Sequence, residues 1–314
     1  MNTPSNYGLP YKGSKSKLAE RIVGIFPRAT NFYDLFSGGC AISHCALLRN
    51  KFEYIHINDI NSMMPEAFIK ALNGDFENET RWISRDDFFK LKDTDPYVAI
   101  CFSFGNNFKT YLYGPDVEPI KKALHYALFF DCFDLSDKYI GVDLREIRHC
   151  VIKEHKYRLS KKIIIDAFRE KNKVIKSKVI KDSDAYRLQS YERLKRVCIK
   201  EIKNDYNLTW STCDYRDVDI KSNSVIYADI PYINTDKYVG SGEDFNHERF
   251  YEWCLIQKQP LFISSYEMPK RDFKMVAEFS RNDTFAPKGG KKVVERLFIP
   301  RTQEIRGNIQ LSLF

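Results

Sequence analysis

No apolar run in this chain approaches the length needed to cross a bilayer, and its start carries no signal-peptide pattern, so a soluble protein of the cytoplasm is expected. The eight cysteines include no C-x-x-C pair, which argues against a zinc ribbon and a disulfide framework. Cys40, His44 and Cys45 are the nearest thing to a metal set. On a helical run buried cysteine is the ordinary reading, and no metal is expected. The glycine turn near residue 38 is not G-x-G-x-x-G, and no Walker lysine follows it, so neither the dinucleotide fingerprint nor the P-loop is present. Repeats, low-complexity tracts and the Asp/Glu–Lys cluster of a nuclease are also missing.

What is present is a chain of 314 residues, enough for one large domain or two ordinary ones, and 43% hydrophobic residues to build the core. A formal charge of +8 permits a polyanionic partner. An aromatic content of 14% suits either a nucleic-acid surface or a dense core.

The stretch Ser224-Val225-Ile226-Tyr227-Ala228-Asp229-Ile230-Pro231-Tyr232 organises the rest. A short β-rich apolar run stops at Asp229, and Pro231 bars its continuation as a central strand. A carboxylate, a backbone carbonyl and an aromatic ring therefore meet at the carboxyl end of a buried strand, where open α/β sheets bind ligands. Asp229 and the Ile230 carbonyl can accept the two protons of an exocyclic amine, and Tyr232 offers a face for stacking a flat base.

Upstream, Tyr11-Lys12-Gly13-Ser14-Lys15 sets a ring and an ammonium either side of a glycine turn, a small-ligand site or a solvated basic segment. The pattern predicts a helix over 16–25, stopped by Pro27. Asn31 to Gly39 then reads as strand and glycine turn, with a helix over 40–48, and Tyr54–Ile57 as a second strand ending at Asn58-Asp59. The glycines let backbone approach a ligand, and the spacing from Gly39 to Asp59 is that at which a doubly wound nucleotide site places its ribose-binding acid.

Between 63 and 207 the βα rhythm fades into helical stretches around 65–72, 121–130 and 185–202. Within it Asn106 and Asn107, with Lys109, lie among aromatic residues, either to read bases or to close a hydrophobic hairpin. Residues 151–181 hold a surplus of eight positive charges, as large as that of the whole chain. Lys171, Lys173, Lys176 and Lys178 belong to it, as phosphate contacts or as a solvated helix face. The βα pattern returns with strands at 208–212, 224–229 and 261–265, a helix over 247–257 and β-like segments at 273–279 and 292–299.

With those residues in order, the chain resembles the DNA adenine methylase (Dam-type, D12 class) family of N6-adenine DNA methyltransferases, in a phage-like form, over roughly 7–62 and 205–300. The resemblance implies an α/β, Rossmann-like methyltransferase fold: a doubly wound, mostly parallel sheet with an antiparallel C-terminal strand. It implies a catalytic domain from 1–62 and 205–314, and an inserted, mainly helical target-recognition region from 63–204. It implies S-adenosyl-L-methionine as cofactor and double-stranded DNA as partner. Tyr11 and Lys15 would meet the methionine end, Asp34 and Phe36-Ser37-Gly38-Gly39 would line the turn beneath it, Asp59 would hold the ribose, and Asp214 with Tyr215 the adenine. Asp229, Ile230, Pro231 and Tyr232 would form the catalytic motif. The family usually has proline where Ile230 stands; the carbonyl survives that change and the rigid ring does not. Methylation of RNA or of a protein glutamine, and a non-catalytic DNA-binding relict, are the rival readings.

Overall fold

The apolar runs become neighbouring strands of one sheet. The computed structural model describes residues 6–170, 183–197, 207–232, 245–282 and 292–304. They fall into two compact units, the first drawn from Met1–Leu9, Gly13–Leu72 and Ile199–Phe314, the second from Pro10–Lys12 and Asn73–Cys198.

The strands are β1 (Asn31–Asp34), β2 (Tyr54–Asn58), β3 (Asn207–Ser211), β4 (Ser224–Asp229), β5 (Leu261–Ser265), β6 (Phe273–Asn282) and β7 (Lys292–Pro300). The helices among the described residues are α1 (Ala19–Ile25), α2 (Ala41–Leu48), α3 (Met63–Asn73), α4 (Arg85–Leu91), α5 (Pro96–Phe102), α6 (Glu118–Phe130), α7 (Asp134–Tyr139), α8 (Lys153–Glu170), α9 (Ser183–Arg196) and α10 (His247–Leu255). None of them is long and apolar enough to cross a membrane.

In the first unit the strand order is β3-β2-β1-β4-β5-β7-β6. The first five strands run parallel, and β7 runs antiparallel to both its neighbours. Strands covered on both faces carry continuous apolar runs, as β4 and β5 do. The two-residue period sorts their side chains. Tyr33, Ile226, Ala228, Leu261 and Ile263 pack with Phe250 and Cys254 of α10. On the opposite face Phe26, just past α1, meets the rings of Phe32, Tyr227 and Phe262. Helical segments thus cover both faces, and the fold is a doubly wound, Rossmann-like α/β sheet. The strand order reverses between β1 and β4, and a sheet of this kind binds ligands outside the carboxyl ends at that switch point. Asp34 and Asp229 stand at those two ends.

The second unit holds α4 to α9 and, among its described residues, no β-pairing beyond a bridge between Ser103 and Tyr111. Its caps follow from sequence: the Ser84 side chain accepts from Asp87 N–H at the start of α4, and Asp95 accepts from Tyr97 and Val98 N–H just ahead of Pro96. Its core gathers Leu124, Leu128, Phe133, Leu144, Ile147 and Tyr157 with Ile164 and Leu188.

Several boundaries differ from expectation. The helix expected from Ser16 begins at Ala19, because Lys15–Leu18 forms a turn closed by Leu18 N–H on the Lys15 carbonyl at 2.8 Å. Cys40 is left-handed with φ 55°, so the next helix starts at Ala41. The helix expected over 185–202 runs Ser183–Arg196 and the strand expected over 208–212 runs Asn207–Ser211. Of the two readings of the aromatic segment, the turn prevails. Asn106 is buried, its carboxamide donating to the Ile100 carbonyl at 2.8 Å and to Ser190 Oγ at 3.3 Å. A side chain so engaged is withdrawn from base edges, which corrects the expectation for Asn106. The Asn107 side chain accepts from the N–H groups of Lys109 and Thr110 and thereby closes a turn of its own.

Candidate active site

At the end of β4 the Lys15 ammonium lies 2.8 Å from Asp229, with only 5% of the lysine side chain and 21% of the aspartate exposed. The Tyr232 hydroxyl spans two carboxylates, at 2.6 Å from Glu295 Oε2 and 3.2 Å from Asp229 Oδ1. Glu295 Oε1 is 3.8 Å from the same ammonium, which also lies 5.0 Å from the Tyr232 ring centroid. Burial pushes the Asp229 carboxyl above its usual range, Lys15 pulls it back, and the charge of Glu295 pushes it up again. Behind this cluster the carbonyl of Pro231 accepts from His247 Nε2 at 2.8 Å, which ties the Ile-Pro-Tyr turn to the start of α10.

Lys15 is thus paired within the chain itself. It is the counter-ion of Asp229, as a buried carboxylate requires. Glu295 was not anticipated. Its signal was a carboxylate at an inward position of a strand, sharing with Leu297 and Ile299 the alternation that buries all three.

The glycine turn lies after β1. Asp34 is buried; Ser43 Oγ donates to its Oδ2 at 2.6 Å, while its Oδ1 has no hydrogen-bond partner among the described residues. Burial pushes the Asp34 carboxyl up to about 7, against the Ser43 hydrogen bond and with help from the charges of Asp229 and Asp59. Ser37 lies beside Cys40, whose thiol its side chain meets. Gly38, at φ 44°, turns its N–H to Asp59 Oδ2 at 2.7 Å, and Asn61 N–H reaches Asp59 Oδ1 at 2.9 Å. The spacing from glycine turn to acid has thus become a direct bond. The segment before Leu9 passes close behind: a Cβ on Gly8 would fall 2.2 Å from the Gly39 carbonyl oxygen, so only glycine fits there.

Asn58, one residue before Asp59, joins three strand ends. Its Nδ2 donates to the carbonyls of Leu35 and Cys213, and its Oδ1 accepts from Ser211 Oγ at 2.7 Å. The first turn after β3 carries Asp214, whose carboxylate is held by Arg216 at 2.7 Å and is thereby kept below its usual range. Tyr215 is buried among Phe36, Phe245, Phe250 and Trp253. Phe36 thus serves as a wall of this aromatic group.

Of the remaining expected residues, Tyr11 belongs to the second unit, where its ring meets Phe108 at 5.6 Å. Lys109 is exposed. Lys171, Lys173, Lys176 and Lys178 lie outside the described residues. His44 Nδ1 accepts from Gly8 N–H at 2.9 Å, and no group of His, Cys, Asp or Glu among the described residues is arranged to hold a metal ion.

A doubly wound sheet with a glycine turn after β1, an acid at the end of β2 and an Asp-Ile-Pro-Tyr motif after β4 defines a Rossmann-like methyltransferase. Residues 11–253 match the family model of the D12 class N6 adenine-specific DNA methyltransferase, and the chain belongs to that family. A search of curated proteins returned no match.

Proposed function

We propose that the protein is a site-specific enzyme that methylates N6 of adenine in duplex DNA with S-adenosyl-L-methionine, on a base swung out of the helix. The observation that carries this reading is the Asp229 carboxylate, held at the switch point of the sheet by Lys15 and Tyr232.

The residues around the glycine turn fit the cofactor. Asp34 Oδ1 is a buried carboxylate oxygen without a partner among the described residues, and an ammonium group suits it. Phe36 to Gly39 would lie under the cofactor, Asp59 would take the ribose hydroxyls, and Asp214 and Tyr215 the adenine end, with Lys15 towards the methionine end. Bound there, S-adenosyl-L-methionine supplies a sulfonium methyl: an N–C bond forms as the C–S bond breaks, and the bonding pair stays on sulfur.

The chain's own residues make N6 a competent nucleophile. An adenine amine is delocalised into its ring, and acceptance of its two protons by Asp229 and the Ile230 carbonyl favours a pyramidal nitrogen with its lone pair free. Asp229 then keeps the proton that N6 sheds. Positioning and fixed charges supply the acceleration. A stacked base cannot reach such a site, so the reaction requires flipping, with Tyr232 as the stacking surface. Residues 63–204 serve as the target-recognition region, with Asn107, Lys109 and the lysines from 171 to 178 facing DNA.

The test is incubation of the protein with methyl-labelled S-adenosyl-L-methionine and duplex DNA, single-stranded RNA or a glutamine peptide. N6-methyladenine in the duplex alone is expected, absent with D229N while cofactor binding persists. Label in RNA or peptide, or near-normal turnover by D229N, would overturn the reading.

A further inference from the structure

The adenine-binding end of this site contains two carboxylates where the catalytic motif supplies one. Glu295 comes from β7, 66 positions after Asp229, and β7 is the strand that runs against the rest of the sheet. Its side chain is buried. Arg296, its neighbour, turns to Glu278 and the Tyr266 carbonyl. Glu295 meets the two groups that also hold Asp229: the Tyr232 hydroxyl at 2.6 Å and the Lys15 ammonium at 3.8 Å.

Two carboxylates, one ammonium and one shared hydroxyl proton make an electrostatically coupled set. A hydroxyl has a single proton, and here Glu295, at the shorter contact, takes the larger share of it, leaving Asp229 a weaker share across 3.2 Å. Lys15 alone would neutralise Asp229. With Glu295 competing for both donors, Asp229 keeps more affinity for a proton than a simple ion pair would leave it.

We propose that Glu295 is a positioning residue of the methyl-transfer site: by sharing Tyr232 and Lys15 with Asp229, it fits Asp229 to accept the proton that N6 loses. It also fixes the hydroxyl end of Tyr232, and so the ring on which the flipped base would stack. This rests on the adenine-N6 reading above and deepens it. Among the described residues, the charged and titratable groups facing Asp229 are Lys15, Tyr232 and Glu295, with Tyr227 on its own strand and Asp34 on β1 within electrostatic reach.

The sign of each substitution follows. E295Q keeps an oxygen for the Tyr232 hydroxyl and removes the competing charge, so Asp229 holds its proton less tightly. The acid limb of single-turnover methylation against pH should move down by roughly one unit. Y232F removes a donor that favours ionised Asp229, and the limb should move up. The same opposite displacements should appear in the ¹³C carboxyl titration of Asp229, assigned by its loss in D229N and read without any turnover. Wild-type protein that fails to methylate duplex DNA would sink the underlying function. Active wild type, with E295Q and Y232F showing an unmoved or same-signed Asp229 titration, would sink the role of Glu295 alone. A structural role for Glu295 predicts lower amplitude with no displacement.

Discussion

Lys15 and Asp229 are separated by 214 positions in sequence and by 2.8 Å in space. The pair joins the segment ahead of α1 to the end of β4, and it leaves the lysine almost wholly buried. Removing one member of a buried ion pair strands the other, which typically costs about 3–5 kcal/mol. K15M would strand two carboxylates, since Glu295 shares the ammonium. Asp229 is already raised in the folded state, so the stability it contributes is present at low pH and lost as pH rises through its folded value. The substitution should exaggerate that loss. Urea unfolding of wild type and K15M at pH 5 and pH 8 should therefore show the larger penalty at pH 8; an equal penalty would mean the carboxylates do not sense the lysine.

Asp59 accepts from Gly38 and Asn61, and by the proposed function from two ribose hydroxyls. D59A should weaken S-adenosyl-L-methionine about tenfold to a hundredfold, since a hydrogen bond to a charged group contributes roughly 1.5–3 kcal/mol. Isothermal calorimetry reads this directly, and unchanged affinity would remove Asp59 from the cofactor site.

What could be read in the sequence divides along a physical line. β4 and β5 were legible because a strand covered on both faces must be apolar throughout, and the motif after β4 because Pro231 forces the chain out of the sheet. The spacing from Gly39 to Asp59 was legible because one βα unit carries both ends, whereas the bond from Gly38 N–H to Asp59 was not. Features that depend on distant register were not. Glu295 reaches Asp229 only because β7 inserts antiparallel between β5 and β6. The pairing of Lys15 with Asp229 was not legible, because 214 positions separate the two. Asn58 as a tie between three strand ends, and Asn106 as an interior polar group, follow from packing that composition cannot express. The left-handed Cys40 carries no residue-type signal at all, because glycine is the usual occupant of that conformation.

The lysines from 171 to 178 are assigned to DNA by charge density alone. Each phosphate contact releases counterions and steepens the salt dependence of binding. Neutralising Lys171, Lys173, Lys176 and Lys178 together should weaken binding to target and non-target duplexes alike. If all four meet phosphate, the slope of log affinity against log salt should flatten by about three to four units. An unchanged slope on both duplexes would return this stretch to solvated surface.

Asp34 supplies the sharpest pH prediction. Its carboxyl is pushed up to about 7 by burial, with one oxygen bonded to Ser43 and the other without a partner among the described residues. A folded value above the unfolded one means that its contribution to stability is complete in acid and is lost as pH rises towards neutrality. The native state alone should thus lose stability between about pH 4 and 7, the interval bounded by the ordinary and the shifted values. D34N should flatten the curve over that interval. By the proposed function the cofactor's ammonium sits against Asp34, favours its ionised form and so reverses the preference. Its affinity should rise with pH through about 7, with proton release on binding at lower pH, and D34N should abolish both effects. Calorimetry at several pH values, in buffers of different ionisation enthalpy, measures the affinity and the proton count together. Affinity that is flat in the wild type across this interval would mean the ammonium does not sit against Asp34.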